Sequence, residues 1–71
     1  MTIDLARVAE AEPLCELSDS TNVLECGGFF IEQNHHGAWF NAYAMKLTPE
    51  RVRALQAVLA AVGEQVEGGT E

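Results

Sequence analysis

Basic residues are scarce in this chain of 71 residues, which has four Lys and Arg against eleven Asp and Glu. The formal net charge of −7 repels nucleic-acid phosphates, whose non-specific binding depends mainly on Lys and Arg, so we expect no direct nucleic-acid binding. The same charge disfavours anionic membranes. Long apolar runs are also lacking, since no stretch reaches the roughly 18 residues that a membrane-spanning helix needs.

Closely spaced cysteine pairs are absent as well. Cys15 and Cys26 are separated by eleven positions, whereas structural zinc sites usually contain two cysteines within a few residues of each other. The N-terminus lacks the basic and apolar segments of a secretory signal, so we expect a cytoplasmic protein with two free thiols. A cross-strand disulfide and a zinc site that includes His35 and His36 are the alternatives; we predict no metal and no cofactor.

A catalytic set is missing too. The serines of the polar turn lie far in sequence from the two histidines, and a nucleophilic site needs its base and orienting group nearby. Gly27-Gly28 lacks the strand and helix that flank a phosphate-binding loop. Glu25 and Glu32 flank that turn, but glycosidases hold such carboxylate pairs inside clefts rather than on open sheets. We therefore predict that the protein is not an enzyme.

Hydrophobic residues nevertheless make up 48% of the chain, which argues against a disordered acidic segment. We predict a single small domain over residues 1–66, followed by a flexible acidic tail over 67–71. A chain this short builds only a thin core, so it usually needs a disulfide, a metal or a partner subunit for stability.

The C-terminal part predicts an amphipathic helix over residues 49–66. Thr48 suits the cap, Pro49 the first helical position, and Glu50 complements the helix dipole. Gly63 is either a stop or a weak point. Apolar residues recur at three- and four-residue steps, and the stripe consists of Val52, Leu55, Leu59, Val62 and Val66.

Turn signals divide residues 14–46 into short strands. Residues 2–12 fit a short helix, with an edge strand as the alternative. The sequence therefore predicts an α+β fold, a small antiparallel β-meander of three to four strands with the C-terminal helix packed on one face. The strands are expected at 14–18, 22–26, 29–33 and 38–46, separated by a polar cluster, by Gly27-Gly28 and by a four-residue turn from Asn34 to Gly37.

The turn lengths predict the register and therefore the two faces of the sheet. A bulge at Gly37 would exchange the faces of the last strand. The predicted core face comprises Cys15, Leu17, Leu24, Cys26, Phe29, Ile31, Phe40, Ala42 and Ala44. The opposite face comprises Glu16, Val23, Glu25, Phe30, Glu32, Trp39, Asn41, Tyr43 and Met45.

That opposite face is the predicted partner-binding site, because one helix cannot cover both faces of the sheet. Exposed aromatic patches tend to mark interaction surfaces, and residues 1–32 hold seven acids and one arginine. We therefore expect a non-enzymatic module that binds a basic protein, as a small acidic regulator or inhibitor. A phage-type inhibitor that occupies a nucleic-acid-binding surface is the sharpest version, and a homodimeric adaptor or a Cys/His metal-binding domain are alternatives. The predicted site comprises Phe30, Trp39, Tyr43 and Met45 with Glu16, Glu25 and Glu32.

Overall fold

A computed structural model describes residues 2–68 of the chain. Residues 69–71 of the predicted tail lie outside the described residues. Four strands form one antiparallel sheet in chain order, and a long helix follows them, so the predicted α+β fold is confirmed. The elements are α1 (Leu5–Glu10), β1 (Glu16–Leu17), β2 (Val23–Glu25), β3 (Phe29–Asn34), β4 (Gly37–Ala42) and α2 (Pro49–Gly68).

Helix α2 begins where its capping residues predict. The Thr48 hydroxyl accepts a hydrogen bond from the Arg51 N–H at 3.2 Å, and the Thr48 carbonyl accepts one from the Val52 N–H at 2.9 Å. The helix continues through Gly63 to Gly68, two residues beyond the predicted end. Gly63 is therefore an interior helix residue rather than a stop.

The buried face of α2 is rotated from the predicted stripe. Ala54 and Val58 are fully buried, whereas Leu59, a central member of the stripe, is 49% exposed. The small Ala54 side chain lets the helix pack against the core cluster, and this places the larger Leu59 on the flank. Part of the apolar stripe is thus left outside the core.

The N-terminal segment forms the predicted short helix rather than an edge strand, although α1 covers Leu5–Glu10 and not the whole of residues 2–12. Its cap is Asp4, whose Oδ1 accepts a hydrogen bond from the Arg7 N–H at 3.2 Å. Leu5 and Val8 face inward and are buried. Both helices pack against the same face of the sheet, because their buried residues form one cluster with those of β2 and β3. The core is Ile3, Leu5, Val8, Leu24, Cys26, Phe29, Ile31, Ala54 and Val58.

The predicted register is confirmed in all three strand pairs. Leu17 faces Leu24, Leu24 faces Ile31, and Ile31 faces Phe40. Residues of β3 and β4 pair one to one as far as Asn34 and Gly37, so β4 has no bulge. The β3–β4 turn is two residues long rather than four, but its ends are in the predicted register.

The prediction for the end of the last strand is wrong. β4 ends at Ala42 rather than at residue 46, and Ala44 has a positive φ of 51°. This left-handed conformation interrupts an extended chain. Ala44 is consequently exposed rather than part of the core face, and Met45 folds back over Gly28 and packs against the core.

The cysteines are also not free thiols: Cys15 and Cys26 form a disulfide. The expectation of free thiols was based on the compartment, whereas the register places the two residues opposite each other at the β1–β2 end. Cys26 is fully buried. Within the described range, no helix has the length and hydropathy needed to cross a bilayer.

Candidate functional site

The outer face of the sheet, opposite the core cluster, is covered by neither helix. Its strand residues alternate with those that point into the core, as the two-residue period of a strand requires. We call this surface the outer face and define it by Glu16, Val23, Glu25, Phe30, Glu32, Trp39 and Asn41.

Three carboxylates cluster on the outer face. Glu16 lies directly opposite Glu25 in the β1–β2 pair. Glu25 faces Phe30 and Val23 faces Glu32, so Glu32 is the diagonal neighbour of Glu25. All three carboxylates are exposed, and none forms an ion pair within residues 2–68. Because like charges directly opposite each other destabilise a sheet, a cationic ligand would relieve a repulsion that the fold leaves in place.

Two aromatic side chains lie beside these carboxylates. Phe30 is partly buried and faces both Glu25 and Asn41, while Trp39 faces Glu32 and is 49% exposed. The outer face therefore places each aromatic side chain directly opposite an acidic one on a neighbouring strand. An aromatic centre with charged groups around it can bury apolar area and form charge-assisted hydrogen bonds with one ligand.

The two remaining members of the predicted site are not on this surface. Tyr43 follows the end of β4 and is 92% exposed, and Met45 packs against the core beside Gly28. Both assignments required a strand that continues to residue 46. The outer face thus brings together five of the seven predicted residues, namely Glu16, Glu25, Phe30, Glu32 and Trp39.

A second surface was not predicted: an apolar groove of about 410 Å³ between α2 and the β4 side of the sheet. Phe40 and Leu59 were both predicted to face the core, yet each is 49% exposed. The signal for this groove was the width of the apolar stripe on α2, which exceeds what the core covers. The apolar residues that line it are Ile3, Ile31, Ala38, Trp39, Phe40, Leu59, Val62 and Val66, so Trp39 at the edge of the sheet borders both the outer face and the groove.

His35 and His36 also line this groove, and their ring centroids are 4.0 Å apart. The two residues form the β3–β4 turn, where the Asn34 side chain accepts a hydrogen bond from the His36 N–H at 2.7 Å. Across residues 2–68, no group of three or more His, Cys, Asp and Glu side chains could hold a metal ion. The disulfide also occupies both thiols, so the alternative Cys/His metal site lacks its sulfur ligands.

Protein-family models, curated protein sequences and solved structures were each compared with the chain, and none matches it. The function therefore has to be inferred from the chemistry of the two exposed surfaces. The outer face offers anionic and aromatic groups, and the groove offers apolar ones.

Proposed function

We propose that the protein is a non-enzymatic protein–protein interaction module that binds a basic partner through its outer face. The observation that supports this most directly is the placement of Glu16 opposite Glu25, with Glu32 diagonal to them and Phe30 and Trp39 alongside. These adjacent carboxylates repel each other and do not stabilise the fold, yet they lie together on a surface that neither helix covers.

The two kinds of side chain would divide the work of binding. Trp residues are frequent binding hot spots because they bury a large area with little loss of conformational freedom. The carboxylates would steer a cationic partner to the surface and fix its orientation. Attraction between exposed charges weakens as salt shortens the Debye length to about 8 Å at physiological ionic strength, so binding should be sensitive to salt.

A regulator or inhibitor is the role that we favour. A row of exposed carboxylates can occupy the Lys and Arg side chains with which a nucleic-acid-handling enzyme binds phosphates, as an inhibitor of the phage type would.

Affinity capture from the source cell, at low and at high salt, tests the proposal. The informative variant is E25Q/E32Q, which removes two charges from the outer face. Its matched control is E10Q/E64Q, which removes two exposed charges from the helices and so makes the net charge less negative by the same amount.

Wild type and E10Q/E64Q should retain the same basic protein at low salt and release it at high salt, while E25Q/E32Q should fail to retain it. Retention of that protein by E25Q/E32Q at the wild-type level would contradict the proposal. So would the absence of any salt-released partner.

A further inference from the structure

The strand β4 forms an open edge of the sheet that has none of the usual protection against pairing. Its six residues, Gly37–Ala42, include no charge and no proline. The opposite edge, β1, has two residues, of which one is Glu16, and it closely follows Pro13. Proteins protect open edges with short strands, charges and prolines. The edge at β4 is therefore the one suited to accept another strand.

The hydrogen bonds of β3 show which backbone groups of β4 point outward. The Gln33 N–H donates to the Asn22 carbonyl at 2.8 Å, and the Phe29 carbonyl accepts from the Cys26 N–H at 2.8 Å. Both residues thus direct these backbone groups away from β4, so their partners Ala38 and Ala42 form non-hydrogen-bonded pairs with β3.

The direction of the backbone groups alternates along a strand, so the N–H and C=O groups of Phe40 also point away from β3, as those of Ala38 and Ala42 do. These three residues present their N–H and C=O groups to the open edge, and no strand of residues 2–68 pairs with them. Their side chains all lie on the groove side of the sheet, because residues two apart share a face.

We propose that a second copy of this chain pairs its β4 antiparallel to this edge, about a two-fold axis at Phe40. In that register Phe40 of one copy faces Phe40 of the other, and Ala38 faces Ala42. All outward N–H groups of both copies then find a carbonyl acceptor. Ala38, Phe40 and Ala42 follow one another as small, large and small in either direction along the strand. This gives the self-complementarity that a two-fold interface requires.

The same arrangement completes the groove. A two-fold axis perpendicular to the sheet places the α2 helices of both copies on one face, on either side of the new strand pair. In a single copy, α2 forms one side of the groove, and the side toward the edge of β4 is open. In the dimer, Phe40 and Leu59, each 49% exposed, would be enclosed between two helices. Facing aromatic side chains across antiparallel strands stabilise the pairing of those strands.

Charge favours a second copy over a basic partner at this edge. The segment of residues 33–45 contains no Asp, Glu, Lys or Arg, so the edge offers a cationic ligand no carboxylate. A chain with a net charge of −7 can approach its own copy most easily where it is neutral. The outer face and the β4 edge would therefore serve different partners.

A pair of double variants tests both the dimer and its register. In A38E/A42K, the introduced glutamate of one copy would face the introduced lysine of the other, so the dimer should persist. In A38E/A42E, two pairs of introduced glutamates would face each other, so the dimer should dissociate. Both native alanines are exposed, and the two variants differ from each other only in the second substitution.

Sedimentation across micromolar to submillimolar concentrations should give twice 7.7 kDa for wild type and A38E/A42K, and 7.7 kDa for A38E/A42E. A wild type that remains at 7.7 kDa throughout would overturn the proposal and leave an extended peptide of another protein as the occupant of the edge. Equal masses for the two variants would reject the register.

Amide hydrogen exchange on the wild-type protein gives a second, independent result. The Phe40 and Ala42 amides should become protected as concentration rises, while those of Trp39 and Asn41, which point toward β3, should be protected at every concentration. Fast exchange at Phe40 in the most concentrated sample would reject the strand pairing even if A38E/A42E failed to fold. The variant E25Q/E32Q should leave the mass unchanged, which separates this proposal from the one for the outer face.

Discussion

Gln33 binds both backbone polar groups of Ile3. Its Oε1 accepts a hydrogen bond from the Ile3 N–H at 2.6 Å, and its Nε2 donates to the Ile3 carbonyl at 2.9 Å. Gln65 does the same for Asp4, with distances of 2.7 and 3.1 Å. One glutamine belongs to β3 and the other to α2, so the N-terminal segment is tied to both. This explains why Ile3, which precedes α1, is only 5% exposed.

Replacing Gln33 by leucine should cost more than replacing Gln65. The Gln33 bonds are partly buried, so Q33L leaves polar groups of Ile3 without partners and should lower the free energy of unfolding by about 2–3 kcal/mol. The Gln65 bonds are exposed to water, so Q65L should cost about 1 kcal/mol. Urea unfolding measures both. Gln56, exposed on α2, supplies the control Q56L, and an equal effect of Q33L and Q56L would contradict the tie at Ile3.

Gly28 should not tolerate a side chain. A Cβ at this position would lie 2.8 Å from the Met45 Cγ, and the φ of 131° is one that residues with a Cβ rarely adopt. We expect G28A to lower the free energy of unfolding by about 1–3 kcal/mol through backbone strain alone, with displacement of Met45 adding to the loss. Thermal unfolding checks this expectation, and a wild-type midpoint for G28A would contradict both the strained φ and the packing of Met45 over Gly28.

Gly63 provides the opposite case. It lies inside α2, and nothing is within 4 Å of the place that a Cβ would occupy. Because glycine costs a helix interior about 0.5–1 kcal/mol relative to alanine, G63A should stabilise the protein by that amount. The helical signal in circular dichroism should persist to higher urea. If G63A were neutral or destabilising, α2 would have to be broken at this point, as the interpretation of Gly63 as a stop supposed.

The Cys15–Cys26 disulfide should support the fold directly. It closes a short loop in a small domain, for which the loss of chain entropy on unfolding suggests about 2–4 kcal/mol of stabilisation. Reductant should therefore lower the urea midpoint of wild type and leave that of C15A/C26A unchanged. A disulfide and the predicted cytoplasmic location are opposing indications, since cytosolic thiols are normally kept reduced. Thiol titration of freshly isolated protein decides between them, because two reactive thiols in the native protein would reject the bond.

The sequence predicted the strand register because turn lengths and apolar alternation are local signals. Counting the turn residues is enough to place four apolar residues opposite one another on neighbouring strands, namely Leu17, Leu24, Ile31 and Phe40. The end of β4 could not be predicted in the same way. Ala44 adopts a positive φ, and the residue types that usually indicate this conformation, glycine and asparagine, are not found at that position.

Local sequence signals also could not predict which side of α2 is buried. The periodicity indicated an apolar stripe, but the choice of Ala54 and Val58 over Leu59 depends on how closely the helix approaches the core. The two glutamine ties at Ile3 and Asp4 are long-range contacts of single polar side chains, which no spacing rule detects. The outer face was predictable from β1 to the end of β4 at Ala42 for the same reason as the register, and the prediction failed for the residues beyond Ala42.

The pairing of Glu16 with Glu25 makes a prediction that needs no partner. Like charges directly opposite each other destabilise a sheet, so E25Q should raise the free energy of unfolding by about 0.2–1 kcal/mol. The gain should shrink as salt is added, because both groups are exposed and salt screens their repulsion. E64Q on α2 controls for the general benefit of a lower net charge. In a double-mutant cycle, E16Q should stabilise wild type more than it stabilises E25Q. Strictly additive effects would contradict the strain at this pair, and with it the reason for expecting a cationic ligand on the outer face.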